Sequence, residues 1–261
     1  MNFNILLCAD SNYYFFVKRL VKNIKNIADS YSIHIYDLGL EAWQRKELER
    51  HNVRIEKTRF QDDTFKINSL RCIKATHKID CIEDFINRYR KNIIVLDADI
   101  LFIENVFTHL HAEKEQIILT RRCRREWHPD YFKNGKINTG VMSFGSEMSS
   151  SFFAAWRKLA CEERHSDQSA LSALIEPHVD WDILEKEQDS PWGKVKLLDG
   201  NIYNDVTCRE GKVLHFKQAG RIKKKRVRYK IFASLCMNFP SLTKKIISFN
   251  RKKQIAVWKK N

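Results

Sequence analysis

Acidic residues are missing from the last fifth of this chain. Between residues 211 and 261 there is no Asp or Glu, against 16 Lys or Arg. Those 16, out of 47 in all, account for the formal net charge of +15, because the first 210 residues hold the other 31 basic side chains and all 32 acidic ones. Such a break implies two parts with separate jobs, and the boundary is placed between residues 220 and 221. Glycine and proline are also scarce, at eight and four. No flexible hinge or low-complexity linker stands out. The seven cysteines (8, 72, 81, 123, 161, 208, 236) are odd in number, scattered, and never spaced C-x-x-C. That argues against a disulfide framework or a structural zinc site, and suits a reducing cytoplasm. No apolar run approaches the roughly 20 residues of a membrane span. The opening Met1-Asn2-Phe3-Asn4-Ile5-Leu6-Leu7 has no basic leader and no small-residue cleavage site, so it does not read as a signal peptide and a cytoplasmic protein is expected. What is present is 261 residues, 43% hydrophobic and 11% aromatic, enough to bury a full core.

The patterning alternates between strand and helix. Residues 3–9 read as a buried strand ending at Asp10-Ser11, either of which could cap a helix with Phe16, Leu20, Ile24 and Ile27 on one face. Strands are expected at 32–36, 53–55 and 92–96, and helices at 41–50 and, in two pieces, at 68–88. Asp80-Cys81-Ile82-Glu83 reads as a capping box for the second piece. Further strands are expected at 116–119, 141–144, 195–198 and 213–216, with a helix over 147–160 and another starting at Ser166. Strand–helix alternation predicts an α/β fold with a parallel sheet and helices on both faces. Ligands of such sheets bind at the carboxyl ends of the strands, where Asp10 and the Asp97/Asp99 pair fall.

Asp97 and Asp99 lie between the apolar runs Ile93-Ile94-Val95-Leu96 and Ile100-Leu101-Phe102-Ile103. Side chains alternate along a strand, so the two carboxylates would point the same way and repel unless a cation sits between them. A hard divalent metal is the natural candidate, since it takes oxygen ligands and bridges to substrate phosphates. The plain alternative is a strand-end turn with both carboxylates in water.

Three later segments bear on the choice. Asn138-Thr139-Gly140 leads into an apolar strand; it is either a turn or a place where Asn138 and Thr139 bond sugar hydroxyls while Gly140 lets backbone approach a ligand. Ser166-Asp167-Gln168 starts a helix as N-cap and dipole partner, or also faces a substrate. Val213-Leu214-His215-Phe216-Lys217 puts a histidine on an apolar strand, followed by cations and Gly220-Arg221. It is either a hydrogen-bonded core residue or the last member of a metal–diphosphate site.

In this order the segments resemble GT-A glycosyltransferases, most closely the family 8 type that uses nucleotide sugars, over residues 3 to 221. The resemblance implies a Rossmann-like nucleotide-diphospho-sugar transferase with a mixed sheet flanked by helices. It implies manganese (or magnesium) held by Asp97, Asp99 and His215; base and ribose bound by Ala9, Asp10 and Tyr13; Asn138, Asp167 and Gln168 facing the donor sugar, the last two as catalytic candidates; and Asp97, Ala98, Thr139, Gly140 and Gly220 among the substrate-binding positions. The diphosphate lysine is open among Lys217, Arg221 and Lys74, because Gly220 lies five residues after His215 and no Lys-Pro-Trp follows. The expected reaction moves a sugar from a nucleotide-diphosphate donor, a UDP-sugar, to a glycan or lipid-linked acceptor such as lipopolysaccharide or capsule, with retention.

The tail begins Arg221-Ile222-Lys223-Lys224-Lys225-Arg226 and carries Leu242, Ile246 and Phe249 at helical spacing among basic residues. This predicts a basic amphipathic extension on an anionic membrane surface, with a helix docked on the core as the alternative and nucleic acid less favoured. Two other functions share parts of this pattern. Haloacid-dehalogenase-like phosphatases use hydrophobic-D-x-D, but near the start of their domain, whereas three strand–helix segments precede it here. A basic adaptor built on an inactive transferase fold would have no need of both aspartates and His215.

Overall fold

The computed structural model describes residues 2–58, 76–122, 135–161, 166–217, 219 and 222–258. Eight strands form one sheet: β1 (Phe3–Ala9), β2 (Tyr31–Asp37), β3 (Arg54–Lys57), β4 (Ile93–Leu96), β6 (Gln116–Arg121), β7 (Ile137–Phe144), β8 (Glu187–Ser190) and β9 (Gly193–Asp199), in the order β3-β2-β1-β4-β7-β6-β9-β8. A second, two-stranded sheet pairs β5 (Ile100–Phe102) antiparallel with β10 (Val213–His215). The helices are α1 (Tyr14–Ile27), α2 (Ala42–Glu49), α3 (Lys78–Tyr89), α4 (Ser150–Leu159), α5 (Asp167–Ile175), α6 (Gly200–Tyr203), α7 (Lys223–Asn238) and α8 (Pro240–Trp258).

The sheet is mixed. β7 runs antiparallel to both β4 and β6, and β8 antiparallel to β9. This is the mixed sheet that the resemblance implies; the parallel run expected from strand–helix alternation gives way at β7, which lies antiparallel between β4 and β6. That reversal brings the N-terminal half of β7, with Asn138 to Gly140, to the same edge as the carboxyl ends of β1 and β4. The central strands are apolar on both sides, as strands covered by two helical layers must be. Ile5 and Leu7 of β1 pack with α1, whereas Leu6 packs with Ile82, Phe85 and Trp156 from α3 and α4.

Three local expectations are corrected. The helix after β1 starts at Tyr14 with Tyr13 as N-cap, not Asp10 or Ser11. The Asp10 carboxylate is spent on the main-chain N–H groups of Asn12 and Tyr13, making a turn. The capping box at Asp80 does not form. α3 takes His77 as its N-cap, three residues earlier, and buried Asp80 accepts instead from Arg157 of α4 at 2.7 Å. Finally, Asp97-Ala98-Asp99 is a turn between β4 and β5, not strand. The first piece of the expected 68–88 helix lies outside the described residues.

The basic C-terminal segment is two helices. α7 buries Tyr229, Ala233 and Cys236, at i, i+4 and i+7, against α1. The Tyr229 ring packs edge-on to Phe16 at 4.8 Å and its hydroxyl donates to the Phe16 carbonyl. α8 buries Thr243 and Ile247, and Arg251 donates to the carbonyl of Glu210 at 2.7 Å. A separate face of α8 carries Leu242, Ile246 and Phe249, each about half exposed or more, and Phe239 just before the helix is exposed as well. Among the described residues, no helix is long and apolar enough to cross a membrane.

Candidate active site

At the carboxyl edge of the sheet a cluster forms around Asp97, Asp99 and His215, whose ligand atoms all lie within 4.8 Å of one another. The His215 Nε2 is 3.6 Å from Asp97 Oδ2 and 3.4 Å from Asp99 Oδ1. Three elements hold these side chains. The Asp97 N–H donates to the Gly140 carbonyl at 2.9 Å, extending the β4–β7 ladder by one bond. β5 pairs Ile100 with His215, and the Phe216 N–H donates to the Asp99 carbonyl at 2.9 Å. The two carboxylates thus face one partner, as expected, but through a turn clamped on both sides rather than through strand alternation.

Gly140 is required by this arrangement. A Cβ built there would lie 2.5 Å from Cε1 and 2.6 Å from Nδ1 of His215, so any side chain would displace the ring. Its position depends on a break in register. β6 and β7 pair Leu119 with Met142 but Thr120 with Asn138, so that Thr139 to Val141 bulge from the ladder. Buried Thr120 closes the gap, its hydroxyl donating to the carbonyls of Asn138 (2.8 Å) and Val141 (3.1 Å).

Lys78, in the first turn of α3, reaches across to this edge. Its Nζ lies 2.5 Å from Asp97 Oδ1, 3.2 Å from the Thr139 carbonyl and 4.0 Å from Asp167 Oδ2. Burial alone would depress the Lys78 ammonium, but Asp97 and Asp167 outweigh it and hold the group above the ordinary lysine range. Burial likewise opposes ionisation of Asp97, yet Lys78 and His215, with Lys217 adding to the field, keep its carboxyl below the ordinary aspartate range. Asp167 goes the other way. Burial and the neighbouring Asp97 charge raise it against the pull of Lys78 and the Thr139 hydroxyl, which donates to Oδ2 at 3.0 Å. The helix carrying Asp167 is capped by Ser166, as expected, and its main chain is tied to the core by Trp156 Nε1, which donates to the Asp167 carbonyl at 2.7 Å.

The structure therefore gathers Asp97, Asp99, His215, Thr139, Gly140 and Asp167. Asn138 is buried beside them; its Oδ1 accepts from the Gly140 N–H, and its Nδ2 has no hydrogen-bond partner among the described residues. Gln168 follows Asp167 in the first turn of α5, and Ala98 is buried between the aspartates. Ala9, Asp10 and Tyr13 stand at the same edge, since Leu7 of β1 pairs with Leu96 of β4. Lys74, Gly220 and Arg221 lie outside the described residues. Lys78, Thr120, Asn204 and Asp205 also take part, and no sequence motif marks them. Lys78 had a signal: a lysine in the first turn of a helix opposes the dipole, so an anion must hold it there. Buried Asp205 accepts from the main-chain N–H groups of Thr207, Cys208, Arg209, Glu210 and Gly211, folding the loop that delivers His215.

The donor set suits a hard divalent cation: two carboxylates and one imidazole converge, with a glycine where the ring needs room. Residues 39–238 match the family model described as nucleotide-diphospho-sugar transferase. No curated protein sequence matches the chain. Among solved structures, the chain resembles galactosyltransferase LgtC, in complex with donor and acceptor sugar analogues, at 16% identity over 88% of this chain and 95% of that one, with a TM-score of 0.59. It resembles the glycosyltransferase GlyE of Streptococcus pneumoniae TIGR4 at 11% identity over 94% and 62%, TM-score 0.59. It also resembles mouse xyloside xylosyltransferase 1 at 13% identity over 85% and 100%, TM-score 0.53. At such identities the likeness concerns the fold, which is the GT-A mixed sheet flanked by helices.

Proposed function

Because the chain belongs to the nucleotide-diphospho-sugar transferase family, we propose that this glycosyltransferase is metal-dependent and moves a sugar from a UDP-sugar to a glycan or lipid-linked acceptor, with retention. The observation that carries the reading is the convergence of Asp97, Asp99 and His215 within 4.8 Å of one another at the carboxyl edge of the sheet. Manganese or magnesium would be held by those three side chains. When bound, such an ion neutralises charge on a departing nucleoside diphosphate. The family assignment sets aside the phosphatase alternative.

The remaining residues have separable tasks. Lys78 keeps Asp97 ionised and fixes its second oxygen, so the carboxylate stays oriented toward His215. The Asn138 Nδ2, buried and unpaired among the described residues, is a donor reserved for a sugar hydroxyl. Lys217, beside Asp97 in the field of the cluster, supports the diphosphate. Asp10 and Tyr13, at the end of the neighbouring strand, are assigned to the base and ribose. In a retaining reaction no strong base is needed, and Asp167 with Gln168 orients the sugar. In an inverting one Asp167, raised by burial, would be the base.

The division at residue 221 and the anionic membrane partner rest on one further observation. The exposed apolar row on α8 is flanked by Lys244 and Lys245, and the whole segment lacks acidic residues. A lipid-borne acceptor, of the lipopolysaccharide or capsule kind, would place the enzyme at the inner face of a membrane.

A thermal-shift panel of nucleoside diphosphates with and without manganese tests the reading. Stabilisation by UDP only in the presence of metal is expected, and Asp99→Ala should abolish it. Wild-type turnover by Asp99→Ala in excess chelator would overturn the metal assignment.

A further inference from the structure

We infer that Asn204 is the positioning residue that sets the tautomer of His215, presenting Nε2 to Asp97 and Asp99 as a bare lone pair. The inference rests on the metal reading above and adds a residue to which neither sequence motif nor resemblance pointed.

The orientation of the Asn204 amide is forced by its neighbours. Its nitrogen lies 3.0 Å from Thr120 Oγ1 and 3.3 Å from the main-chain oxygen of Asn138. A carbonyl has no proton to give, so the NH₂ end must face it. The Thr120 hydroxyl already points its proton at the carbonyls of Asn138 and Val141, so it too receives from Asn204. Oδ1 is thereby turned toward His215 Nδ1, 2.8 Å away. An oxygen there demands a proton on Nδ1, and a neutral imidazole has only one. In the neutral ring that a metal ligand requires, Nε2 is then the bare nitrogen, 3.4 and 3.6 Å from two carboxylate oxygens.

Bulk water does not compete for these bonds, because Thr120, Asn204 and His215 are 0%, 1% and 2% exposed. Three acceptors facing one point make sense around a cation, and fixing the ligand tautomer through its second nitrogen is how outer partners tune such sites. The chain of bonds starts at the β6–β7 bulge, where the displaced Asn138 carbonyl orients the amide. The strand irregularity thus reaches the metal ligand through one side chain.

The test combines manganese calorimetry with nitrogen NMR of the His215 ring in mildly alkaline buffer containing magnesium. Wild-type protein should carry its ring proton on Nδ1. Asn204→Leu should lose that preference and bind manganese about 10- to 100-fold more weakly. Asn204→Asp, which keeps an acceptor for Nδ1–H, should restore the ring signal and most of the affinity. In the His215→Ala background Asn204→Leu should add nothing further. A wild-type ring protonated on Nε2 alone, wild-type manganese affinity in Asn204→Leu, or full additivity with His215→Ala would each overturn the inference. If His215→Ala leaves manganese affinity unchanged, the metal reading itself fails, and the ring spectrum alone decides the tautomer.

Discussion

The ammonium of Lys78 lies 2.5 Å from Oδ1 of Asp97, while the other oxygen of that carboxylate faces His215. Both groups are drawn from different layers: Lys78 from the first turn of a helix on one face of the sheet, Asp97 from the turn after the central strand. A cation so placed allows three acidic or basic partners to sit close together before any ligand arrives. It also sets the direction in which Asp97 can accept one.

Replacing Lys78 with Met removes that compensation. Breaking a fully buried ion pair by deleting one partner costs about 3–5 kcal/mol. Asp97 keeps 32% of its side chain exposed, so water recovers part of the loss. A fall of about 2 kcal/mol in the metal-free protein is expected on those grounds. Manganese with UDP should restore much of the melting temperature, because a cation bound by Asp97 substitutes for the missing one. Transfer should drop by two orders of magnitude or so, the size typical of losing one preorganised electrostatic group. Differential scanning calorimetry with and without metal measures the first effect, and initial rates the second. A melting temperature equally low in both conditions would mean that Lys78 serves packing rather than the carboxylate.

How far the site was legible can be judged residue by residue. Asp97, Asp99 and His215 carried their own signal, because charged or titratable groups inside apolar runs need a reason. Strand alternation nevertheless supplied the wrong reason for the two aspartates, whose common direction comes from main-chain bonds to Gly140 and Phe216. Lys78 shows locally only that some anion must offset its place in the first turn of a helix; nothing local says that the anion is Asp97, 19 positions away. Asn204 and Thr120 are ordinary polar residues whose roles exist only once β6, β7 and β10 converge.

The same physics divides the fold. β1, α1 and β4 bury one or both faces within themselves and were readable from apolar periodicity. β8 is an edge strand of Glu187 to Ser190 with no buried residue, so no apolar pattern announces it. The Asp80 capping box failed because Arg157, from a helix far along the chain, competes for the carboxylate. Here the charge-assisted bond from a tertiary partner replaces the local cap.

A pH effect on stability should arise far from the site. His34 is buried against Phe85 and Tyr89, with Nδ1 2.8 Å from Glu56. Burial lowers its affinity for a proton, outweighing the attraction of Glu56. The unfolded chain therefore takes up a proton at the ordinary histidine value of 6.5 before the folded one does. Stability from this residue is complete above that value and declines as pH falls below it, until the folded state is protonated too. Burial works against Glu56, but its bonds to His34 and Tyr89 and the charge of Arg88 hold it below the ordinary carboxyl range. That contribution is lost at lower pH, as the medium passes down through 4.5 and beyond. Urea denaturation between neutral and mildly acidic pH should give falling midpoints in the wild type. His34→Gln should start less stable and lose the slope nearest 6.5. An unchanged slope in the variant would assign the acid sensitivity to other groups.

The proposed contact with an anionic membrane can be tested through the exposed row on α8. Leu242, Ile246 and Phe249 are 52%, 49% and 68% exposed and lie on one helical face, with Thr243 and Ile247 buried on another. Changing them to Gln should leave stability within about 0.5 kcal/mol, as for surface sites generally. Binding to anionic vesicles has two separable parts: apolar insertion of these side chains, and attraction of the basic face, worth about 1 kcal/mol for each Lys or Arg near the surface. The triple Gln variant should therefore bind phosphatidylserine vesicles much more weakly, and what remains should vanish as salt rises. Wild-type protein should resist the same salt better and bind neutral vesicles poorly. Vesicle co-sedimentation across a salt series makes the comparison. If the triple variant sediments like the wild type at every salt concentration, α8 does not insert, and the exposed row serves another contact.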